Sequence, residues 1–458
     1  MAACPAILVA APASGQGKTT VTAALARLYA RQGRRVRVFK CGPDFLDPYW
    51  HTLASGAPVY QLDLWMTGEA DCRARLSSAA ADADLIIVEG VMGLFDGTPS
   101  AADLARHFGL HVLAVVDASA MAGTFGALTF GLQHYQAGLP WAGVLANRVA
   151  GVGHAGMLRD SLNQPQDWLG ALMHNPALVL PERHLGLTVA SEVPDALARL
   201  DAAADALAET PLGCMTLHDM QCWNTEFLPA EEGDAQTPPR LLQDKVIAVA
   251  RDAAFCFIYA ANLDCLQSLG AELRFFSPLA DDAVPACDAA WLPGGYPELH
   301  AGTIAASTRT RDSLAQHIAK GLPVWAECGG MMLLFDELVD KAGVTHTMWG
   351  LLPGRVVMQK RLAALGPQQL DVPTVSGGSH GTVRGHTFHW SLTDTPLLPI
   401  ARTQRPGPAA QPVASGADGE ALYAHGSVRA SYFHAWFPSA PTAVAALLSP
   451  QPLVEPMA

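Results

Sequence analysis

The chain has few charged residues for its length and no long apolar run. Charged residues make up 16% of its 458 residues, and no run of 18 or more apolar residues occurs. The first residues also lack the basic start and apolar core of a signal peptide. Because a membrane span needs about 20 consecutive apolar residues, these absences predict a cytoplasmic protein without a membrane partner.

Paired cysteines and a positive net charge are missing as well. The nine cysteines form no CxxC pair and no Cys/His cluster of zinc spacing, which predicts reduced thiols and no disulfide framework. The 29 basic residues are outnumbered by 42 acidic ones, so the net charge of −13 argues against nucleic-acid binding. A polyanionic ligand would therefore need a local basic or magnesium-bearing site.

Short apolar runs alternate with helical patterns in two separate series, which predicts an α/β fold with two domains. Several runs of the first series are almost entirely Val, Ile, Leu and Ala, as in strands buried on both faces of a parallel sheet. A polar, Pro-rich stretch separates the two series. We expect a first domain at 1–210, a linker at 211–243, a second domain at 244–440 and a weakly ordered tail at 441–458.

A glycine-rich loop stands between the first predicted strand and the first predicted helix. In such a loop, backbone N–H groups and the helix N-terminus bind phosphates, a lysine bridges the outer phosphates and a hydroxyl ligates magnesium. Pro12 replaces the usual first glycine, and a loop that only caps a helix is the alternative. The pattern predicts ATP binding by Gly15, Gln16, Gly17, Lys18, Thr19 and Thr20.

Four acidic residues follow the ends of predicted strands near this loop. Asp44 and Asp47 lie after the second strand, Glu89 ends the strand LIIVE, and Asp96 lies in the loop that follows it. Open parallel sheets bind ligands at the carboxyl ends of their strands, and magnesium at a phosphate loop needs carboxylate ligands. Any one of these acids taken alone could equally cap a helix or a turn.

In the second series, the segment PVWAECGGMM places Cys328 between a strand and a helix. Such a sharp turn exposes a nucleophile, and a helix N-terminus lowers the pKa of a thiol. The glycines of LPGGY, with Gly329, are candidates for an oxyanion hole formed by Gly294, Gly295 and Gly329. His434 is the candidate general base, but no acid follows it closely to complete a triad. The alternative for a single cysteine is a small buried apolar residue.

Together these motifs resemble the cobyrinic acid a,c-diamide synthase family over residues 6–440. The resemblance rests on the segments APASGQGKTTVTAAL, KCGPDFLDPYWH, LDLWM, VEGVMGLFDG, ANRVAGVGHAGML, PERHLGL, LPGGYPE, AECGGMM, GHTFHWS and ASYFHAWF. It implies a dethiobiotin-synthetase-like phosphate-loop domain and a class I glutamine amidotransferase-like domain. It also implies amidation of the a and c acetate side chains of a corrin-type macrocycle in vitamin B12 biosynthesis.

The resemblance also assigns roles to individual residues. It implies that Thr19, Asp47 and Glu89 bind Mg²⁺ and that Asp44 and Asp96 are catalytic in the ATP-binding domain. Cys328 and His434 would be catalytic in the amidotransferase domain. Arg148 and His154, in the NRV…H segment, are candidates for binding phosphate or substrate carboxylates.

Because hydroxide is a poor leaving group, amidation requires prior activation of the carboxylate. We expect ATP to convert it to an acyl phosphate, while Cys328 releases ammonia from glutamine through a thioester. Two alternatives remain: a phosphate-loop switch ATPase, and a related ligase for cobyric acid precursors or a nickel tetrapyrrole. Whether the macrocycle carries cobalt, and whether the protein is a homodimer, stays open.

Overall fold

The computed structural model describes residues 2–183, 186–229, 238–374, 378–407 and 419–450. The chain divides into two compact units, Met1–Gln236 and Thr237–Ala458. None of the helices among these described residues is long and apolar enough to cross a bilayer.

The first unit alternates strands with helices along the chain. Its strands are β1 (Ala2–Ala10), β2 (Val36–Cys41), β3 (Tyr60–Leu62), β4 (Leu85–Glu89), β5 (His111–Asp117), β6 (Trp141–Val149), β7 (Trp168–Met173), β8 (Glu182–Arg183), β9 (Gly186–Leu187) and β10 (Asn224–Phe227). Its helices are α1 (Lys18–Arg31), α2 (Asp47–Ser55), α3 (Glu69–Ala80), α4 (Ala101–Phe108), α5 (Thr124–His134), α6 (Val152–Asp160) and α7 (Ala196–Ala208).

Seven of these strands form a parallel sheet in the order β3-β2-β4-β1-β5-β6-β7. Apolar clusters cover both of its faces. Along β1, Leu8 and Ala10 belong to one cluster while Ile7 and Val9 belong to the other. This two-sided burial explains the nearly continuous apolar strands of the sequence. The strand order places the carboxyl ends of β2, β4 and β1 side by side.

The expected linker at 211–243 is wrong over its first half. The strand β10 pairs antiparallel with β1, with Phe227 opposite Ala2 and Asn224 opposite Pro5. Phe227 is buried in the same core as the parallel sheet. Only Phe227 among its four residues is apolar, so no apolar run marks this strand in the sequence.

The second unit contains the remaining elements. Its strands are β11 (Val246–Ala250), β12 (Glu272–Phe276), β13 (Ala289–Leu292), β14 (Val324–Glu327), β15 (Phe335–Val339), β16 (Thr345–Thr347), β17 (Leu352–Met358), β18 (Ala364–Pro373), β19 (Ser379–His389), β20 (Ser391–Asp394), β21 (Pro399–Arg402), β22 (Ala421–His425), β23 (Val428–Ser431) and β24 (His434–Ala435). Its helices are α8 (Ala260–Ser268), α9 (Ala301–Ala306), α10 (Thr308–Ala319), α11 (Gly329–Met332) and α12 (Pro441–Leu447).

The main sheet of this unit has the order β12-β11-β13-β14-β23-β22-β21. Its first five strands are parallel, and β22 and β21 continue it antiparallel. Two smaller sheets, β16-β15-β17-β20 and β18-β19-β24, complete the unit. The two-domain α/β architecture expected from the sequence is therefore confirmed.

The expected tail at 441–458 is wrong for its described part. Residues 441–447 form α12, and Ala443, Val444 and Ala445 are buried in the core of the second unit. Their small apolar side chains let the helix pack closely against the strand β19. Residues 451–458 of the expected tail lie outside the described residues.

A core substitution in β10 tests whether this strand belongs to the first unit. Phe227→Ala removes a ring that is 4% exposed, so we expect it to lower the free energy of unfolding by ~3–5 kcal/mol. Leu228→Ala is the matched control, because Leu228 is 52% exposed and its replacement should change stability by less than ~0.5 kcal/mol. Chemical denaturation measures both values, and equal small losses would contradict the assignment.

Candidate active sites

The phosphate loop connects β1 to α1. Gly15 and Gly17 have φ values of 77° and 95°, a left-handed conformation that favours glycine. A Cβ atom at Gly17 would also lie 2.2 Å from the side-chain nitrogen Nδ2 of Asn147. The Asn147 Nδ2 atom donates to the Gln16 carbonyl at 2.9 Å, and the Gln16 side chain accepts from the Asp117 N–H at 2.8 Å. The strand ends of β5 and β6 thus fix the loop.

Lys18 begins α1 and lies over this loop. Its ammonium donates to the carbonyl oxygens of Ala13, at 3.2 Å, and Met92, at 2.6 Å. Burial lowers the pKa of Lys18, an effect that the Glu89 carboxylate opposes. The ammonium therefore lies between the phosphate loop and the loop that follows β4.

Next to Lys18, a hydroxyl and two carboxylates form a cluster around a second lysine. Thr19 donates its hydroxyl to Glu89 Oε1 at 2.6 Å and to Asp47 Oδ2 at 3.3 Å. The ammonium of Lys40, on β2, lies 2.6 Å from Asp47 Oδ2 and 3.2 Å from Glu89 Oε1. Lys40 and Glu89 are direct partners in the register of β2 and β4, which brings the four groups together.

Burial and the charge of Lys40 shift the pKa values of the two carboxyl groups in opposite directions. Burial alone would raise the pKa of Glu89, but Lys40 and His51 hold it at about 2. Burial and the neighbouring Asp44 raise the pKa of Asp47 well above its ordinary value, although Lys40 opposes them. Lys40 itself is buried, yet the two carboxylates raise its pKa. The ammonium of Lys40 is thus paired with the ionised carboxylate of Glu89.

Lys40 and His51 were missed in the sequence analysis. His51 Nε2 contacts Glu89 Oε2, and its ring is fully buried. It follows Asp47 by four residues in α2, so the two side chains share one helix face. That spacing, and the position of Lys40 at a strand end beside the acids, were the available signals.

A cavity of 480 Å³ opens above this cluster within the first unit. Its polar side includes residues of the phosphate loop with Lys40, Asp44, Asp47, Glu89, Asn147 and Arg148, and its other side is apolar, with Leu172, Met173, Leu178, Val179, Leu180 and Leu187. A charged, polar wall and an apolar wall therefore face the same space.

The remaining predicted residues of the first unit differ in position. Asp44 lines the cavity and accepts from the Leu46 N–H at 2.8 Å. Asp96 accepts from the Gly93 N–H at 2.8 Å, and it is not among the described residues that line the cavity. Its contact is of the kind that holds a loop. Thr20, like the rest of the loop residues except Gln16, lines the cavity.

Arg148 and His154 also differ in whether they line the cavity. Arg148 lines the cavity and forms an ion pair with Asp117 at 2.6 Å, with a left-handed φ of 57°. His154 Nε2 contacts the Met121 carbonyl oxygen at 2.7 Å, and the Ala150 N–H donates to its Nδ1 at 3.2 Å. Within the described residues, His154 is outside the cavity wall.

The donor set at Thr19, Asp47 and Glu89 suits magnesium held jointly with phosphate. Across the described residues, no group of three or more His, Cys, Asp and Glu side chains is arranged to hold a metal ion. Two carboxylates and a hydroxyl nevertheless match magnesium, which commonly binds one or two carboxylates together with substrate phosphates. The residues therefore fit Mg²⁺ that arrives with a nucleotide.

In the second unit, Cys328 lies at the sharp turn between β14 and α11. Its φ of 43° is left-handed, a strained conformation for a residue with a side chain. The Cys328 N–H donates to the Ser431 carbonyl at 2.7 Å, which joins the turn to the end of β23. Because β14 and β23 are parallel neighbours, Cys328 and His434 follow strand ends at the same edge of the sheet.

The expected lowering of the thiol pKa is wrong. Burial, followed by the Glu298 carboxylate, raises the pKa of Cys328 far above its ordinary value, although the Gly329 N–H opposes this. The helix α11 has only four residues, so its dipole is too small to outweigh burial. Burial and the neighbouring histidines also lower the pKa of His434. The resting state is therefore a neutral thiol with a neutral imidazole.

The predicted oxyanion glycines lie against these two residues. A Cβ atom at Gly294 would be 2.4 Å from His434 Cε1, and one at Gly329 would be 2.9 Å from the Gly295 nitrogen. Glycine at these three positions permits backbone and imidazole to approach one another closely. The structure thus brings Gly294, Gly295, Gly329 and His434 together.

Two other histidines lie near His434, and a carboxylate contacts one of them. Its ring stacks on that of His386 with centroids 5.0 Å apart. His389 stacks on Tyr432 at 3.7 Å and contacts Glu420 Oε1 at 3.1 Å. Glu420 has no local signal in the sequence, because it is far from His386 and His389 along the chain.

Comparison with known proteins defines both units. Residues 7–187 match the model of the CobQ/CobB/MinD/ParA nucleotide binding domain. Residues 246–442 match that of the CobB/CobQ-like glutamine amidotransferase domain. A nucleotide-binding domain joined to a glutamine amidotransferase domain defines a glutamine-dependent carbon–nitrogen ligase.

Relatives extend this similarity over nearly the whole chain. Hydrogenobyrinate a,c-diamide synthase of Stutzerimonas stutzeri is 54% identical, over 98% of this chain and 99% of the relative. The protein of the same name from Pseudomonas aeruginosa is 54% identical, over 98% of each. Cobyrinate a,c-diamide synthase of Herminiimonas arsenicoxydans is 48% identical, over 97% of each. The chain belongs to this a,c-diamide synthase family, which confirms the resemblance.

Replacing Lys40 tests its role as the counter-ion of the acidic cluster. Lys40→Met leaves Asp47 and Glu89 buried without their ammonium, so we expect a loss of ~3–5 kcal/mol in unfolding free energy near neutral pH. The pKa of Glu89 is held at about 2, and a lowered pKa stabilises the fold above the ordinary value of 4.5. The loss should therefore be complete above pH 4.5 and shrink as pH falls from 4.5 towards about 2.

Arg37→Met, on the same strand, is the control for Lys40→Met. Arg37 pairs with Asp82 at 2.9 Å with both side chains partly exposed, and such pairs contribute less than ~1 kcal/mol. Denaturant unfolding from pH ~2.5 to 8, a range that covers the titration window of Glu89, measures both variants. A loss for Lys40→Met that is small, or independent of pH, would contradict the role.

Replacing Gly294 tests the close contact with His434. Gly294→Ala places a methyl group where the imidazole lies, so we expect glutamine hydrolysis to fall by ~100-fold as His434 is displaced. Gly302→Ala is the control, since a Cβ atom there meets nothing within 4 Å. Ammonia release from glutamine measures both, and similar activities of the two variants would argue against the contact.

Proposed function

We propose that this protein uses ATP and glutamine to amidate the a and c acetate carboxylates of hydrogenobyrinic acid in cobalamin biosynthesis. The observation that carries the proposal is the presence of two sites on one chain. The first unit has a phosphate loop beside a carboxylate cluster, and the second has Cys328 with His434 and three glycines. The names of the relatives supply the substrate class.

Cobyrinic acid, the cobalt-containing counterpart, is the second candidate substrate. It is supported by the relative named cobyrinate a,c-diamide synthase, at 48% identity. The two relatives at 54% identity carry the hydrogenobyrinate name, which favours the metal-free macrocycle.

In the first unit, the proposed reaction transfers the γ-phosphoryl group of ATP to a substrate carboxylate. The carboxylate oxygen forms a bond to phosphorus, the bond to the β-phosphate breaks, and ADP leaves. Lys18 contributes positive charge beside the transferred group, and the N–H groups of Gly15 and Gly17 hold phosphate oxygens. Ammonia then attacks the acyl phosphate and releases inorganic phosphate.

Magnesium would be held by Thr19, Asp47 and Glu89 together with the nucleotide. When bound, Mg²⁺ supplies charge neutralisation at the phosphate oxygens. Asp44 and Arg148 line the same cavity and are candidates for orienting the ammonia and a substrate carboxylate, respectively. The carboxylate of Asp96 and the imidazole of His154 both contact backbone groups. These contacts support a role in fixing loop conformation and not in binding substrate.

In the second unit, Cys328 attacks the side-chain amide of glutamine. Because the pKa of the thiol is raised, His434 must accept the thiol proton as the sulfur attacks, and its lowered pKa keeps it neutral for this purpose. N–H groups at Gly295 and Gly329 would stabilise the oxyanion. His434 then returns the proton to the departing ammonia, and water hydrolyses the thioester.

The proposal predicts that the two activities can be separated by substitution. Cys328→Ala should abolish glutamine-dependent synthesis and leave ammonium-dependent synthesis within about 2-fold of the original, because only the nucleophile is lost. Lys18→Met should abolish both, because both require the acyl phosphate. Product formation with hydrogenobyrinic and cobyrinic acid in parallel measures these activities and compares the two substrates.

Two outcomes would contradict the proposal. Loss of ammonium-dependent synthesis in Cys328→Ala would argue against separate sites. ATP hydrolysis that neither macrocycle stimulates would instead favour a switch ATPase.

A further inference from the structure

A buried glutamate directly before the nucleophile has no part in the reaction proposed above. Glu327 ends β14, and the residue is 1% exposed. The other residues of this strand, Val324, Trp325 and Ala326, are all apolar, as expected for a strand buried on both faces. A carboxyl group at such a position is costly to bury and needs hydrogen-bond partners.

The partners of Glu327 connect the strand of the nucleophile to the strand of the base. Its Oε1 atom accepts from the indole N–H of Trp325 at 2.7 Å and from the backbone N–H of Ala435 at 3.3 Å. Ala435 directly follows His434. One carboxyl oxygen therefore bridges the residue before Cys328 and the residue after His434.

Neighbouring hydrogen bonds hold the backbone around this bridge in place. The Cys328 N–H is held by the Ser431 carbonyl at 2.7 Å. On the other side of His434, Asn262 donates to the Ala435 carbonyl and accepts from the Phe437 N–H, each at 2.8 Å. The backbone that carries the imidazole thus lies between two buried polar side chains, and Glu327 is the one attached to the strand of the thiol.

We propose that Glu327 is a positioning residue of the amidotransferase site, which sets the separation of Cys328 and His434 through the backbone N–H of Ala435. This inference rests on the proposed function of the second unit. In a catalytic triad, an acid orients the imidazole by a direct hydrogen bond. Glu327 instead acts on the neighbouring peptide group, so its effect requires a hydrogen-bond acceptor and no negative charge.

The protonation of Glu327 agrees with this role. Burial raises the pKa of the Glu327 carboxyl to about 8, although the Trp325 and Ala435 N–H groups oppose the shift. The group is therefore largely neutral at pH 7. A neutral carboxyl next to Cys328 also adds no charge that would oppose formation of the thiolate.

Two substitutions in the full-length protein distinguish an acceptor from a charge. Glu327→Gln keeps an acceptor oxygen of the same reach, so kcat for glutamine hydrolysis should stay within about 3-fold of the original. Glu327→Ala removes the bridge, and kcat should fall by ~10- to 100-fold because the two reacting groups are misplaced. KM for glutamine should change little in both, since Glu327 is proposed to act through Ala435 and not on the substrate.

Synthesis with ammonium is the internal control, and it should remain unchanged in both variants. Glu272→Ala, at an exposed position of β12, is the matched surface control and should match the original protein. If Glu327→Ala does not fold, Glu327→Leu fills a similar volume without an acceptor and gives the same comparison.

Equal losses in Glu327→Gln and Glu327→Ala would overturn the proposal, since they would mean that charge is required. Full activity of Glu327→Ala, or an equal loss of its ammonium-dependent synthesis, would overturn it as well. If the unsubstituted protein itself released no ammonia from glutamine, the proposed function would fail first. The rescue by Gln in an active enzyme is therefore specific to the role of Glu327.

Discussion

The buried ammonium of Lys40 is the interaction on which the acidic end of the first sheet depends. Removing a carboxylate from water costs several kcal/mol, and this end buries both Asp47 and Glu89. Lys40 lies within 3.2 Å of an oxygen of each, so the pair can stay at the bottom of the cavity. The same arrangement aligns Thr19, Asp47 and Glu89 beside the phosphate loop, where magnesium and phosphate would be bound.

In the second unit, burial itself acts on the charge state of the reactive groups. Burial raises the pKa of the Cys328 thiol and of the Glu327 carboxyl, and it lowers that of His434. All three groups are therefore neutral at rest, and the desolvation cost of charge is avoided until glutamine is attacked. A proton transfer from thiol to imidazole then creates charges only where the oxyanion glycines and the strand ends can stabilise the intermediate.

The parts of the fold that the sequence predicts well are those defined by local pattern. The phosphate loop, the strand LIIVE and the strand–cysteine–glycine turn each have their signal within about ten residues. The strand β10 and the helix α12 were missed because their stability comes from distant partners, β1 and β19. Short elements of this kind are stabilised by packing, which a sequence window does not contain.

The same distinction applies to the sites. Thr19, Asp47 and Glu89 were predicted because acids at adjacent strand ends must converge, and their metal-binding role stays a prediction. Lys40 was missed because its importance comes from the register that places it beside Glu89. The predicted lowering of the Cys328 pKa rested on the helix that follows the thiol, whereas burial of the thiol has the larger effect. Glu327 was quoted within a motif, but only the contact with Ala435 reveals a role.

The central claim is that ATP activates a substrate carboxylate as an acyl phosphate before ammonia attacks. Oxygen-18 in the a and c carboxylates of the macrocycle tests it directly, with ammonium as the nitrogen donor. Because the carboxylate oxygen that bonds to phosphorus leaves with phosphate, each amidation should yield ADP and one inorganic phosphate that contains a single labelled oxygen. Unlabelled phosphate, or label recovered in AMP, would contradict the account.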